Sequence, residues 1–123
     1  MSTLKVNDIT EATSGGGKIW PSRAWVNFNG QGTVAIRSDG NVSSITDNGT
    51  GQYTTNFSNA LSSANYAVGS TAGYGSTTAT DGGLYGIYGT SVTTTSVRGF
   101  TFDSSGSGAA LYDYAYVLLD ITL

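Results

Sequence analysis

A chain of 123 residues with 18 glycines, five Lys or Arg and eight Asp or Glu has a net charge of −3 and only 11% charged residues, against about 25% in ordinary soluble domains. The length suits one domain, able to bury roughly 65% of its unfolded surface. Cysteine and histidine are absent, which excludes disulfides and thiol chemistry and removes the commonest general base and metal ligand.

The cations Lys5, Lys18, Arg23, Arg37 and Arg98 are scattered, so nothing supplies the cluster that displaces counterions from nucleic-acid phosphates. No run approaches the roughly 20 apolar residues of a membrane span. The N-terminus also lacks the basic start and roughly 7–15-residue apolar run of a secretory signal. A surface this poor in charge needs Ser, Thr and Asn, or a second subunit, to cover it.

Taken from the N-terminus, residues 1–21 read as an arm and a Gly-rich linker. Leu4, Val6 and Ile9 are sparse apolar positions in an extended stretch from Thr3 to Ile9, and Thr13 to Lys18 is a flexible connector by composition. Residues 22–123 read as the folded domain. From Ala24 the apolar pattern has a period of two. Val26 and Phe28 share a face, as do Val34 and Ile36, then Tyr53, Thr55 and Phe57, then Tyr66 and Val68. Further strands are predicted at Leu84–Gly89, Ser96–Phe102 and Tyr112–Ile121. Turn signals stand at Asn29-Gly30, Asp39-Gly40, Asn48-Gly49 and Asp81-Gly82-Gly83. About eight short strands at this spacing, with no convincing helix, predict an all-β fold: an antiparallel, jelly-roll-like β-sandwich.

The last predicted strand is apolar or aromatic on both faces, with Ala115, Val117, Leu119 and Ile121 on one and Tyr112, Tyr114, Tyr116 and Leu118 on the other. Both faces are expected to be covered, one of them by a neighbouring subunit. The candidate subunit interface is therefore Tyr112, Tyr114, Tyr116, Val117 and Leu119.

No catalytic, cofactor-binding or metal-binding constellation emerges. Gly15-Gly16-Gly17-Lys18 fails as a phosphate loop, because Ala12 stands at the first glycine position and Ile19 follows the lysine. Asp39, Asp47, Asp81 and Asp103 sit in turn-like sequence without calcium-loop spacing, and no two of them stand out as a glycosidase pair. The stretch Ser70–Thr95 mixes Gly, Ser and Thr with Tyr74, Tyr85 and Tyr88. That composition suits recognition loops, so these three tyrosines are the candidate recognition contact.

One block carries a family signature: Ala24-Trp25-Val26-Asn27-Phe28-Asn29-Gly30, then Val42-Ser43-Ser44-Ile45-Thr46-Asp47-Asn48-Gly49-Thr50-Gly51, then Tyr53-Thr54, Asn56-Phe57 and Ala64-Asn65-Tyr66, with the opening Ser2-Thr3-Leu4-Lys5-Val6-Asn7 as a weaker element. Together these cover a little under half of the chain. The block resembles the module found in tail-fibre and other virion structural proteins of bacteriophages, especially those of marine cyanobacteria. The resemblance implies a non-enzymatic structural or adhesive role without a cofactor, and a homotrimer located in the virion and assembled in the host cytoplasm. The arm would dock on other virion proteins and the globular part would meet a host surface glycan. A capsid decoration or knob protein is the alternative.

Overall fold

A computed structural model describes residues 2–5, 9–10, 18–74, 84–103 and 110–123. Near the N-terminus, β1 (Ile9–Thr10) pairs antiparallel with β2 (Lys18–Ile19) as a two-stranded sheet of its own. The segment expected as a linker, Thr13 to Lys18, falls outside the described residues except for Lys18, which is in β2. No helix occurs among the described residues, and none is therefore long and apolar enough to cross a membrane.

Two larger sheets form the body. The first contains β3 (Ser22–Asn29), β4 (Ala35–Gly40), β7 (Ala67–Gly73) and β11 (Tyr116–Thr122), in the order β4-β3-β11-β7. The second contains β5 (Val42–Gly49), β6 (Gln52–Phe57), β8 (Leu84–Val92), β9 (Ser96–Asp103) and β10 (Ala110–Leu111). Its path runs β5-β6-β9; β8 pairs with the other edge of β9, and β10 takes over from β6 at Phe102 and Asp103. Every pairing is antiparallel. The fold is the antiparallel β-sandwich that the period-two pattern predicts.

Alternation explains the core directly. Ala24, Val26 and Phe28 of β3 and Val117, Leu119 and Ile121 of β11 point inward and are buried. They meet Tyr53, Thr55 and Phe57 of β6 and Val97 and Thr101 of β9, also buried. Phe28 sets its ring edge-on to Tyr53, with centroids 5.1 Å apart.

The chain crosses between the sheets at Asn41, not at Asp39-Gly40. Both of those residues belong to β4, and Asn41 alone turns left-handed, with φ of 57°. Asparagine tolerates that conformation better than most side chains. Here its amide is also well used: Nδ2 donates to the carbonyls of Arg23 (3.2 Å) and Asn59 (3.1 Å), and Oδ1 accepts from the Asn59 N–H (2.8 Å). Asp39 supports the same corner by accepting from the Val42 N–H (3.2 Å).

The last strand is shorter than expected, and Tyr114 leaves its expected face, whereas Val117, Leu119 and Ile121 point inward and Tyr116 and Leu118 outward as the alternation predicts. The strand starts at Tyr116, and residues 112–115 run outside regular strand. Tyr114, Val117 and Leu119 lie in the chain's own core, at 0–3% exposure. Their inclusion in a subunit interface is therefore corrected: side chains enclosed by their own sandwich cannot touch a neighbour. Tyr112 and Tyr116 remain exposed.

Candidate functional site

The strand directions divide the body into two ends. Ser22 pairs with Thr122, and Arg23 lines one hollow together with Leu61 and Leu123. At the opposite end lie the β3–β4 connection, the β5–β6 turn and the segment Tyr112–Ala115. These are joined there by a bond from the Gly30 N–H to the Tyr114 carbonyl (2.9 Å).

Tyrosines dominate this second end. Tyr74 directly follows β7, and its ring lies 5.5 Å from that of Tyr112 and 5.0 Å from that of Tyr114. Tyr112 and Tyr114 are themselves 5.0 Å apart. Tyr114 is fully buried, Tyr74 half-buried and Tyr112 exposed. The triad thus grades from core to solvent, which suits a side chain with an apolar ring and a polar tip. Burial, followed by a hydrogen bond with Tyr74, raises the ionisation of Tyr114 above the usual tyrosine range.

Asp113 organises the backbone beneath the triad. Its Oδ1 accepts from the Gly51 N–H at 2.6 Å and lies 2.8 Å from the Tyr53 hydroxyl. That hydroxyl is also 2.9 Å from the Gly30 carbonyl, so one proton serves two acceptors. Burial first, and then the hydrogen bond and charge of Asp113, hold the Tyr53 phenol neutral well above the usual range. Gly51 has φ of +63°, and a Cβ there would fall within 3.0 Å of the Thr101 carbonyl and the Tyr112 nitrogen. Only glycine combines that conformation with so close an approach. The Thr101 hydroxyl completes the strap by donating to the Tyr112 carbonyl at 2.5 Å.

The three tyrosines expected to contact a host are not brought together. Tyr85 points into the sandwich from β8, where Gly99 makes room for it: a Cβ on Gly99 would collide with the phenol ring. Burial raises its ionisation as well. Tyr88 lies on the outer face of the second sheet, 5.0 Å from Phe100 and under the Arg98 guanidinium at 5.1 Å. Tyr74 alone reaches the loop end. Much of Ser70–Thr95 is strand, in β7 and β8; residues 75–83 lie outside the described ones.

Asp39 and Asp47 use their carboxylates as turn residues do, whereas Asp103 ends β9, paired with Ala110. Asp47 accepts from the Gly49 N–H at 3.0 Å, and Asp39 holds the Asn41 corner. Asp81 lies outside the described residues. Among the described residues no group of three or more His, Cys, Asp or Glu could hold a metal ion. The site residue that the sequence reading missed is Asp113. Its one signal was a carboxylate set between Tyr112 and Tyr114 in an otherwise apolar run. The chain matches no protein family, no curated protein and no solved structure.

Proposed function

We propose that this chain is a bacteriophage virion structural subunit of tail-fibre type, which assembles as a homotrimer and turns its tyrosine-bearing end toward the host surface. One observation carries the reading. Residues 22 and 122 lie at one end of the sandwich, while Tyr74, Tyr112 and Asp113 lie at the other with the β3–β4 and β5–β6 connections. Such a body is held from one end and offers loops from the other, and loops on a rigid sheet scaffold are where recognition collects. The low charge of the chain and the resemblance of its Ala24–Tyr66 block support the same reading. The arm docks on other virion proteins, and the exposed Tyr112 and Tyr116 serve the contact between copies.

Locating a tag on this subunit in intact particles tests the proposal. Signal on the tail supports it; signal over the head replaces it with the decoration reading. Light scattering tests the oligomer, and a monomer at micromolar concentration overturns the trimer. Particles carrying Tyr74→Ala should adsorb to hosts more weakly while retaining the subunit. Unchanged adsorption removes the role of this end in host contact.

A further inference from the structure

The outer face of the first sheet carries an open groove, lined among others by Trp25, Asn27, Ser38, Thr71, Leu118 and Asp120. Its volume of about 490 Å³ lies within the roughly 300–1,000 Å³ of small-ligand sites. Register builds it. Trp25 faces Asp120 across the β3–β11 pair and Gly40 across the β3–β4 pair, and Asp120 faces Gly69 on β7. Glycines at both flanks lower the walls.

Trp25 has a distinctive pose. A Cβ built on Gly40 would come within 3.0 Å of the indole Nε1, Cδ1 and Cε2 atoms. The indole therefore lies down over the bare backbone of β4 instead of standing away from the sheet. It remains 41% exposed, next to Leu118 at 37%. The result is a flat aromatic shelf with an aliphatic neighbour. Around it stand groups that exchange hydrogen bonds with hydroxyls: the Asn27 amide, the Ser38 and Thr71 hydroxyls and the Asp120 carboxylate.

We infer that this groove binds a neutral pyranose unit of a glycan. A pyranose ring presents C–H bonds on one face and hydroxyls around its rim. The C–H face matches the exposed indole, whose π-face is negative and attracts the positive edge of C–H bonds. The rim hydroxyls match the surrounding amide, hydroxyls and carboxylate, which as an ionised acceptor forms the stronger type of hydrogen bond. Charge selects among sugars. Among the described residues no cation lines the groove. Arg37 on the same face donates to the Asn27 Oδ1 at 3.2 Å, leaving the Asn27 NH2 for a ligand, and is otherwise committed to the Tyr116 ring at 4.1 Å and the Ala115 carbonyl at 2.6 Å, while Arg23 lines the hollow beside Leu123. Asp120 takes a hydrogen bond from the Ser22 hydroxyl on Oδ1 and has no cation bonded to it among the described residues, so its charge disfavours sialylated, uronate or sulfated units and favours neutral ones. The inference does not rest on the attachment reading, because none of its residues belongs to the tyrosine-bearing end.

The test uses the full chain with Trp20→Phe as background, which leaves Trp25 as the sole tryptophan reporter. Neutral methyl hexosides, methyl N-acetylhexosaminides and their sialylated or sulfated counterparts are titrated while indole fluorescence is read. At least one neutral glycoside should perturb the fluorescence saturably, and its acidic counterpart should bind more weakly. Trp25→Ala, followed by calorimetry, should weaken that binding roughly 30-fold, the loss typical of an interface anchor. Trp25→Phe should retain part of it. Gly40→Ala, which lifts the indole off its bed, should weaken it in a chain that still melts cooperatively. Tyr74→Ala with Tyr112→Ala should leave it intact. No response to any neutral glycoside at ~10 mM, tenfold above a Kd of about 1 mM, overturns the inference. So does binding that survives Trp25→Ala, or self-association lost with Trp25→Ala in the absence of sugar binding, which would make the groove a contact between copies.

Discussion

The first sheet lines the core with Ala24, Val26, Phe28, Val117, Leu119 and Ile121, whereas the second lines it with Tyr53, Thr55, Val97, Thr101 and the inward-turned Tyr85. The first face is dry and needs shape alone. The second carries four hydroxyls into the interior, and a buried hydroxyl without a partner is destabilising by about 1–3 kcal/mol. Two of the four find partners, and both partners lie in the strap beneath the tyrosine triad: Tyr53 reaches Asp113, and Thr101 reaches the Tyr112 carbonyl. The difference separates two roles. The aliphatic face holds the sandwich together, and the hydroxyl-bearing face also fixes the geometry of one end.

The comparison breaks most severely at Leu119→Asp. Leu119 is buried between Val26 on β3 and Ser70 on β7, with no cation among the described core residues to pair with a new carboxylate. An unpaired buried charge on the dry face should remove on the order of 4 kcal/mol or more, most of a small domain's stability. Circular dichroism should show no cooperative melt. A folded, cooperatively melting Leu119→Asp chain would contradict the assignment of this face as the main source of stability.

Alkaline pH should act through the other face. Tyr53, Tyr85 and Tyr114 are all held neutral above the usual tyrosine range, in each case chiefly by burial. Their folded pKa values exceed the unfolded value near 10. The stabilisation from keeping them protonated is thus complete below about pH 10 and is lost as pH rises above it, because the unfolded chain releases protons first. Each such group can remove up to about 1.4 kcal/mol per pH unit in that window. Urea titrations between pH 9 and 11.5 should show the decline, and Tyr53→Phe combined with Tyr85→Phe should flatten it. Stability independent of pH up to 11.5 would show that these phenols are not buried in the folded state.

Tyr53→Phe separates the two roles more finely. It preserves the ring packed on Phe28 and removes only the bonds to Asp113 and the Gly30 carbonyl. A loss of about 1–3 kcal/mol is expected, since Asp113 loses one of its donors. Amide exchange should accelerate more at Gly51 and Tyr112 than at Val26. Equal acceleration at all three would mean that the hydroxyl serves global stability and does not fix the loop end.

Alternation made both inner faces legible. Val26 with Phe28, and Tyr53 with Thr55 and Phe57, alternate plainly, and the predicted faces are the observed ones. Three features were hidden for physical reasons. β5 is an edge strand with mostly exposed polar residues, so Val42–Gly49 shows little apolar periodicity. Asp39-Gly40 has the composition of a hairpin turn, but Asn41, with its side chain bonded on both flanks, is where the chain changes sheets. Tyr114 enters the core from irregular backbone, where a period-two count across Tyr112–Ile121 cannot assign its face. The dispersal of Tyr74, Tyr85 and Tyr88 follows from register. Composition grouped them, but β8 turns Tyr85 inward onto Gly99 and leaves Tyr88 against Phe100 on the outside.

The smallest expected effect concerns the two remaining hydroxyls. Thr55 Oγ1 and the Tyr85 hydroxyl oxygen are both buried without a well-formed hydrogen bond among the described residues, although the two lie close enough to interact with each other. Thr55 itself is fully buried on β6 between Ile45 of β5 and Val97 of β9. Thr55→Val keeps the branched shape suited to a strand and replaces the hydroxyl with a methyl group. Since it removes an unsatisfied oxygen and breaks no well-formed bond, the change should be neutral or stabilising by up to about 1 kcal/mol. Tyr85→Phe should behave in the same way, and because the two side chains are neighbours the double variant, with an expected coupling below ~1 kcal/mol, measures what passes between them. Chemical denaturation of the four chains measures this directly. If each single change instead destabilises and the pair shows a coupling of ~1 kcal/mol or more, the two hydroxyls are bonded to each other or through a trapped water. The second face would then be fully satisfied, and its difference from the first would lie in how its polar groups pair and not in any left unpaired.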